Sequence, residues 1–186
     1  MADVYLALLH HPVYDKHGAV VTTAVTNLDV HDIARAARTF GVRAYWVCTP
    51  VATLRRLVDR IIRHWEVGPG AAYNPNRREA LAVVRQAPAL DDVIAEIDRE
   101  TGQLPYLVAT SAREGPARLR YDALRARLAS GGPPVLLVFG TGWGLTDEVV
   151  ARCDAVLEPV RGVSAYNHLS VRSAAAIILD RLRNGR

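Results

Sequence analysis

Cysteine, lysine and long apolar runs are all scarce in this chain. Cys48 and Cys153 are the only cysteines; they form no metal-binding pattern, and both lie in or beside apolar stretches. We therefore expect both to be small core residues. No apolar run approaches the length of a membrane span, and Val4–Leu9 is too short for the core of a signal peptide. The sequence thus predicts a soluble, cytoplasmic protein with no membrane partner and no metal.

The positive charge comes almost entirely from arginine, since Lys16 is the only lysine and the net charge is +4. Such an excess indicates a polyanionic partner, and RNA or DNA would fit. Codon bias in an alanine-rich chain would produce the same composition. Charge alone leaves both interpretations open.

Strands and helices alternate along the 186 residues, half of which are hydrophobic. The expected strands are short continuous apolar runs, as in a parallel sheet that is covered on both faces. We predict a single α/β domain over residues 1–186, with a mostly parallel sheet and helices on both faces. The predicted strands are Val4–His10, Arg43–Cys48, Leu81–Arg85, Leu104–Ala109, Val135–Phe139 and a short one that ends near Glu158.

The helices are predicted from apolar spacing and capping residues. Asp29 is expected to cap a first helix that runs to Phe40, and Ser170 to cap the last one. Residues 11–27 and 68–75 are predicted to be long loops. The remaining helices are predicted over residues 51–65, 91–101, 121–129 and 146–152.

A glycine loop, Gly140–Gly144, follows the fifth of these strands and invites comparison with dinucleotide-binding motifs. The dinucleotide fingerprint needs a third glycine three residues after the second, and Leu145 stands there instead. Glu158, at the end of the next strand, could imitate the acid that holds a ribose. No Gly-Lys-Ser/Thr is present, which excludes a P-loop. A nucleotide-cofactor oxidoreductase remains an alternative.

Three segments in the last third of the chain resemble, in order, the C-terminal motifs of the SPOUT class of RNA methyltransferases. They read LVFGTGWGL (residues 137–145), EPVRG (158–162) and YNHLSVRSA (166–174). Asn27 and the run RAARTFGV (35–42) are similar to the first motif of that class, in which an arginine precedes Phe-Gly by five residues. The chain also looks like a compact bacterial group of the class, on the features HHPVY (10–14) and YNP (73–75).

The resemblance implies a C-terminal trefoil knot that shapes a pocket for S-adenosylmethionine. It also implies a homodimer that binds RNA, either tRNA or rRNA, across its interface and methylates a ribose 2'-oxygen or a base nitrogen. A knotted RNA-binding protein without catalysis is the alternative.

The cofactor-binding residues implied by the resemblance lie in loops after adjacent strands. They are Thr110, Ser111, Ala112, Phe139, Gly140, Thr141, Gly142, Leu157, Pro159, Gly162, Tyr166, Asn167, Leu169 and Ser170. Arg35 is the first catalytic candidate, because the resemblance implies that an arginine at this motif position acts on the ribose hydroxyl or its phosphate, and a guanidinium suits a phosphate. His168 is the second; it stands where many members have asparagine, and it could move a proton.

Other polar and aromatic residues have simpler interpretations. His10, His11, Asp15 and His17 form no complete metal set and are expected to border the RNA-side opening. Trp143, between glycines in a loop, is the better candidate for stacking a base, and Trp65 is expected to be a core residue. The arginines of the second helix are expected to form a solvated face rather than a stripe that contacts RNA.

Overall fold

The computed structural model describes residues 1–164 and 166–185, which form a parallel sheet with helices on both faces. The strands are β1 (Val4–Leu9), β2 (Val13–Tyr14), β3 (Val20–Val21), β4 (Tyr45–Cys48), β5 (Val84–Ala87), β6 (Tyr106–Ala109), β7 (Val135–Gly140) and β8 (Ala155–Val156). Six of them pair in the order β5-β4-β1-β7-β6-β8, and all of these pairings are parallel. The predicted α/β architecture is confirmed. The helices are α1 (Asn27–Thr39), α2 (Ala52–Glu66), α3 (Pro69–Tyr73), α4 (Pro75–Leu81), α5 (Leu90–Thr101), α6 (Tyr121–Ser130), α7 (Asp147–Ala151) and α8 (Val171–Asn184).

The central strand β1 is buried on both faces, which explains its unbroken apolar run. Because side chains alternate across a strand, Leu6 and Leu8 belong to one core and Ala7 and Leu9 to the other. The first core contains the buried faces of α1, α6 and α8, and the second that of α5. None of the described helices is long and apolar enough to cross a membrane.

Helix α1 begins three residues earlier than a cap at Asp29 would have placed it. Thr26 is the N-cap, and its hydroxyl accepts from the backbone N–H of Asp29. The prediction of Asp29 as the cap was wrong. Asp29 lies in the first turn, where a carboxylate is favourable toward the positive end of the helix dipole.

The predicted loop 68–75 was also wrong, since it contains α3 and the start of α4. Both helices begin at a proline, a residue favoured at the first helical position. Asn74 caps α4 by accepting from the N–H of Arg77 at 3.0 Å. Because α4 continues to Leu81, the strand predicted over Leu81–Arg85 begins only at Val84.

The segment between β1 and α1 is largely irregular, as predicted, apart from the antiparallel pair β2–β3. Val13 forms an isolated antiparallel bridge with Leu145, and the N–H of Tyr14 donates to the carbonyl of Gly144 at 2.9 Å. This early segment therefore packs directly against the glycine loop that follows β7.

Candidate functional site

Three neighbouring strands, β7, β6 and β8, end at the same edge of the sheet, because they are parallel. Their loops start at Gly140, Thr110 and Leu157. Ligands of open α/β sheets bind beyond such carboxyl ends. This edge is the candidate functional site.

The glycine loop is fixed by the chain that follows β1. The N–H and the hydroxyl of Thr141 both donate to the carbonyl of Leu9 at 3.1 Å, and the N–H of Trp143 donates to the carbonyl of Tyr14 at 2.9 Å. Gly142 has φ +59°, and a Cβ there would lie 2.9 Å from the same Tyr14 carbonyl. The loop thus needs glycine both for its dihedral angle and for its close approach.

The loop after β6 connects the other two. Thr110 donates its hydroxyl to the carbonyl of Val138 at 3.0 Å, and the side-chain amide of Asn167 donates to the carbonyl of Ala112 at 3.2 Å. The guanidinium of Arg113 donates to the carbonyl of Trp143 at 3.2 Å. Ser111 accepts from the N–H of Arg113 at 3.0 Å. These contacts bring the three predicted loops together.

The segment after β8 supplies a buried apolar wall. Leu157 and Pro159 are buried, and Gly162 lies beside the carbonyl of Tyr166, which a Cβ would approach to 3.3 Å. The Glu158 carboxylate accepts from the N–H of Tyr121 at 2.9 Å, so it caps α6 and is not free to bind a ribose. That use of Glu158 argues against the dinucleotide interpretation.

The third loop leads into α8 and carries several exposed side chains. Ser170 is the N-cap of α8, as predicted, and accepts from the N–H of Ser173 at 3.2 Å. The rings of Tyr166 and His168 are in edge contact, with centroids 5.3 Å apart. Leu169 and Tyr166 are exposed, whereas Phe139 is buried in the first core, so only its backbone lies at the strand end.

Arg35 is exposed on α1, one turn beyond Asp32. Arg172 of α8 donates to Asp29 at 2.9 Å and pairs with Asp32 at 3.5 Å, which ties the start of α8 to α1. Within residues 1–164 and 166–185, no hydrogen bond or ion pair joins Arg35 to the three loops. Arg35 and His168 are thus both exposed and accessible to a substrate.

A buried polar chain beneath the glycine loop is a feature that sequence reasoning missed. His10 is fully buried, and its Nδ1 lies 3.1 Å from the hydroxyl of Thr23, which lies 2.5 Å from that of Thr141. Its Nε2 has no partner among the described residues. His10 therefore supports the loop from below and does not border an RNA-side opening, so that prediction was wrong. His11 is half-buried near Thr22, and Asp15 closes its own turn by accepting from two backbone amides.

The stability of the protein is expected to fall as the pH drops from about 7 to about 5. Burial lowers the pKa of His10, and the charge of Asp29 opposes that effect only in part. The unfolded chain then binds more protons than the folded chain in this range, so the free energy of unfolding rises with pH. Urea denaturation at several pH values should show a smaller dependence in His10→Asn. His17→Asn controls for the loss of an exposed imidazole from the same segment, and an unchanged slope in His10→Asn would contradict the prediction.

Both cysteines are core residues, as predicted. Cys48 is buried and Cys153 is half-buried. Burial raises the pKa of both thiols, to about 11 for Cys153. Neither thiol is therefore suited to act as a nucleophile near neutral pH.

Comparison with known proteins gives a match over nearly the whole chain. A family model described as SAM-dependent RNA methyltransferase matches residues 3–184. A tRNA (guanine-N(1)-)-methyltransferase from Oleidesulfovibrio alaskensis is 46% identical over 97% of this chain, which spans only 42% of that relative. An uncharacterized protein from Aquifex aeolicus is 42% identical over 97% of this chain and 88% of its own length.

The fold also matches solved structures. The SpoU methyltransferase AviRb from Streptomyces viridochromogenes superposes with a TM-score of 0.60, covering 99% of this chain and 60% of that one. At 17% identity this likeness concerns the fold alone. The family match confirms the predicted SAM-dependent RNA methyltransferase, and the superposition confirms the fold that the motifs implied.

Proposed function

This chain belongs to a family of SAM-dependent RNA methyltransferases, and we propose that it transfers the methyl group of S-adenosylmethionine to RNA. The observation that carries the proposal is the convergence of three loops at the ends of β7, β6 and β8. The bond from Asn167 to Ala112 joins the last of these loops to the middle one. The same family membership excludes the oxidoreductase alternative.

The residues at this edge fit the cofactor in their chemistry. Backbone groups of Thr110–Ala112 and Gly140–Gly142 would hold the polar adenosine, while Leu157 and Pro159 present a buried apolar wall. Exposed Leu169 and Tyr166, with Gly162, Asn167 and Ser170, would line the other side. When bound, the cofactor supplies a methyl group on a sulfonium centre. The protein needs only to orient the acceptor in line and to manage one proton.

Arg35 and His168 are the proposed catalytic residues. The exposed guanidinium of Arg35 offers a planar pair of donors to a phosphate or a ribose oxygen of the acceptor nucleotide. His168 lies in the loop that precedes α8, two residues before the Ser170 cap, and would take the acceptor proton.

Replacement of His168 with asparagine is expected to lower kcat at least about tenfold near neutral pH, because general acid–base catalysis contributes that much or more. Asparagine keeps a polar group in the loop but cannot take a proton. The rate of methyl transfer should therefore lose the rise with pH that a general base produces. Tyr166→Leu removes the same ring contact but keeps the imidazole, so it controls for the loss of that contact and should keep the pH dependence of kcat at saturating cofactor. The proposed role of His168 fails if the variant retains the wild-type pH profile.

Two measurements test the proposed activity. Calorimetry should show binding of S-adenosylmethionine and no binding of NAD. Incubation with total bacterial RNA and methyl-labelled cofactor should then transfer the label. If the protein binds both cofactor and RNA without transfer, it is the non-catalytic RNA-binding protein instead.

The methylated atom is a separate question. The relative named for guanine N1 is more than twice as long as the region that this chain matches, so its specificity can lie outside that region. We propose tRNA or rRNA as the substrate, modified at a ribose 2'-oxygen or a base nitrogen. Mass spectrometry of nucleosides from cells with and without the protein would separate N1-methylguanosine from 2'-O-methylated nucleosides.

We further propose that the C-terminal segment is knotted. The segment before α6 pairs with the end of β8, since the N–H of Glu158 donates to the carbonyl of Leu119 and Leu119 bridges Leu157. Beyond this point Asn167 contacts Ala112, and α8 packs on α1 and α6. A chain that passes residues 110–120 in this way would form a trefoil knot. Mechanical stretching should then stop short of the full contour length of the chain; extension to that length would rule the knot out.

A homodimer and a single domain complete the proposal. Val163, Tyr166 and Leu169 expose large apolar side chains beside the start of α8, a surface suited to association. Sedimentation should give twice the monomer mass, and Leu169→Glu should reduce it. Residues 1–186 would unfold in one transition, since both cores share one sheet, and the protein would act in the cytoplasm, where RNA and the cofactor meet.

A further inference from the structure

A groove lies between α1, α2 and α4, apart from the three loops. Its volume is about 670 Å³, and its lining includes the apolar side chains of Leu57, Ile61 and Trp65. Arg60, His64 and Arg77 line it as well. Only Val58 of the fifteen residues of α2 is fully buried. Much of the apolar face of this helix is therefore accessible to solvent.

Trp65 is surrounded by cationic and imidazole groups. The guanidinium of Arg77 lies 5.0 Å from the centre of the indole, and the rings of His31 and His64 meet it edge-on at 5.7 and 5.1 Å. Because the indole is only half-buried, part of it remains accessible in the groove. An aromatic surface flanked by arginines is suited to stacking a nucleobase.

Arg77 is held without a counterion. Its Nε is buried and has no hydrogen-bond partner among the described residues, and none of the described ion pairs includes its guanidinium. A buried donor on a cation is costly unless an acceptor reaches it. A phosphate in the groove would supply the guanidinium with the counterion that it lacks among the described residues.

The charge of the groove also favours an anion. Asp32 is the one acidic residue in its lining, and this carboxylate is already paired with Arg172 at 3.5 Å. Arg60 and Arg77 are therefore not neutralised by the lining itself. Since Arg172 lies in the first turn of α8, the same ion pair connects the rim of the groove to the candidate site.

We propose that this groove binds a nucleotide of the substrate RNA other than the methylated one, with its base against Trp65 and its phosphate on Arg60 and Arg77. The inference rests on the proposed function, since it assigns the groove to the same RNA. A strand that leaves the candidate site would pass α1 at the Asp32–Arg172 pair and enter the groove. The groove thus selects an RNA by a nucleotide outside the reaction centre.

Fluorescence anisotropy with fragmented, fluorescein-labelled total bacterial RNA tests the inference in the absence of cofactor. Arg60→Glu is expected to raise Kd about tenfold or more and to reduce the slope of log Kd against log salt by about 0.7 for the lost phosphate contact. Trp65→Leu keeps an apolar side chain and should raise Kd about tenfold by loss of stacking. Arg99→Glu makes the same charge change at an exposed position of α5, across the sheet, and should change Kd less than about twofold.

The outcomes separate this inference from the proposed function. If the wild-type protein methylates RNA and Arg60→Glu binds RNA as Arg99→Glu does, the groove assignment is overturned and the methyltransferase stands. If no RNA accepts a methyl group but Arg60→Glu and Trp65→Leu still bind RNA more weakly than Arg99→Glu, the groove stands and the catalytic proposal falls. A change in oligomeric state without a change in RNA affinity would show that the groove holds a second copy, which also overturns the inference. Circular dichroism checks that each variant is folded. If Trp65→Leu is unfolded, Arg60→Glu still tests the groove, because Arg60 is exposed and its replacement should leave the fold intact.

Discussion

Replacement of Arg35 with alanine is expected to lower the rate of methyl transfer about a hundredfold or more while cofactor affinity stays unchanged. The side chain is exposed and makes no hydrogen bond or ion pair with the three loops among the described residues, so we expect its loss to leave the cofactor site in place. A positioned donor that stabilises developing charge is typically worth about 10²–10³ in kcat. The effect should appear in kcat at saturating RNA rather than in the binding of S-adenosylmethionine.

Two further variants make this test specific. Arg38→Ala removes the same charge from the same helix, but Arg38 is used in an exposed ion pair with Glu79, so activity should change little. Arg35→Lys keeps the charge and loses the planar pair of donors, and an intermediate rate is expected. If Arg35→Ala transfers methyl groups as fast as Arg38→Ala, Arg35 has no part in the reaction.

The fold was predictable from the sequence for the strands that are buried on both faces, because their residues form continuous apolar runs. The strands around Val4–Leu9 and Val135–Gly140 are fully apolar because both of their faces meet a core. That pattern identifies a parallel sheet without any knowledge of the family. The order of the strands is set by long-range pairing, for which the sequence carries no local signal.

Short helices and caps were the elements that propensity missed. Asp29 and Thr26 are both good caps, and only the packed position of α1 decides between them. The residues 69–73 contain glycine and proline, which usually indicate a loop, yet they form α3. There, packing of Gly70 against Trp65 and His64 outweighs the weak helical preference.

The candidate site was predictable only in part, for a related reason. The order of the three motifs predicted which loops form the site. These loops meet because parallel strands end at the same edge of the sheet. The link from His10 through Thr23 to Thr141 joins side chains up to 131 positions apart in the chain, and no spacing rule reveals it. The groove beside Trp65 is likewise formed by three helices. The sequence pattern identified Trp65 only as a core residue, and the structure leaves it half-buried.

Gly142→Ala is expected to weaken cofactor binding about tenfold or more and to destabilise the fold by about 2–3 kcal/mol, about 1–2 of it from the positive φ. The remainder has a definite structural origin. A Cβ at this position would lie 2.9 Å from the carbonyl oxygen of Tyr14, which accepts the N–H of Trp143 at 2.9 Å. Relief of the clash must move that carbonyl and break the bond that holds the glycine loop.

Gly102→Ala provides the matched control for this glycine effect. Gly102 has φ +69° at the end of α5, and no heavy atom lies within 4 Å of where its Cβ would be. Gly102→Ala should therefore lower the free energy of unfolding by only the about 1–2 kcal/mol that a positive φ costs, and cofactor affinity should stay unchanged. Urea denaturation and calorimetry with S-adenosylmethionine measure the two effects separately. Equal cofactor affinity in the two variants would mean that the glycine loop does not shape the cofactor site. A loss confined to Gly142→Ala would show that the chain after β1 controls that site through the backbone of Tyr14.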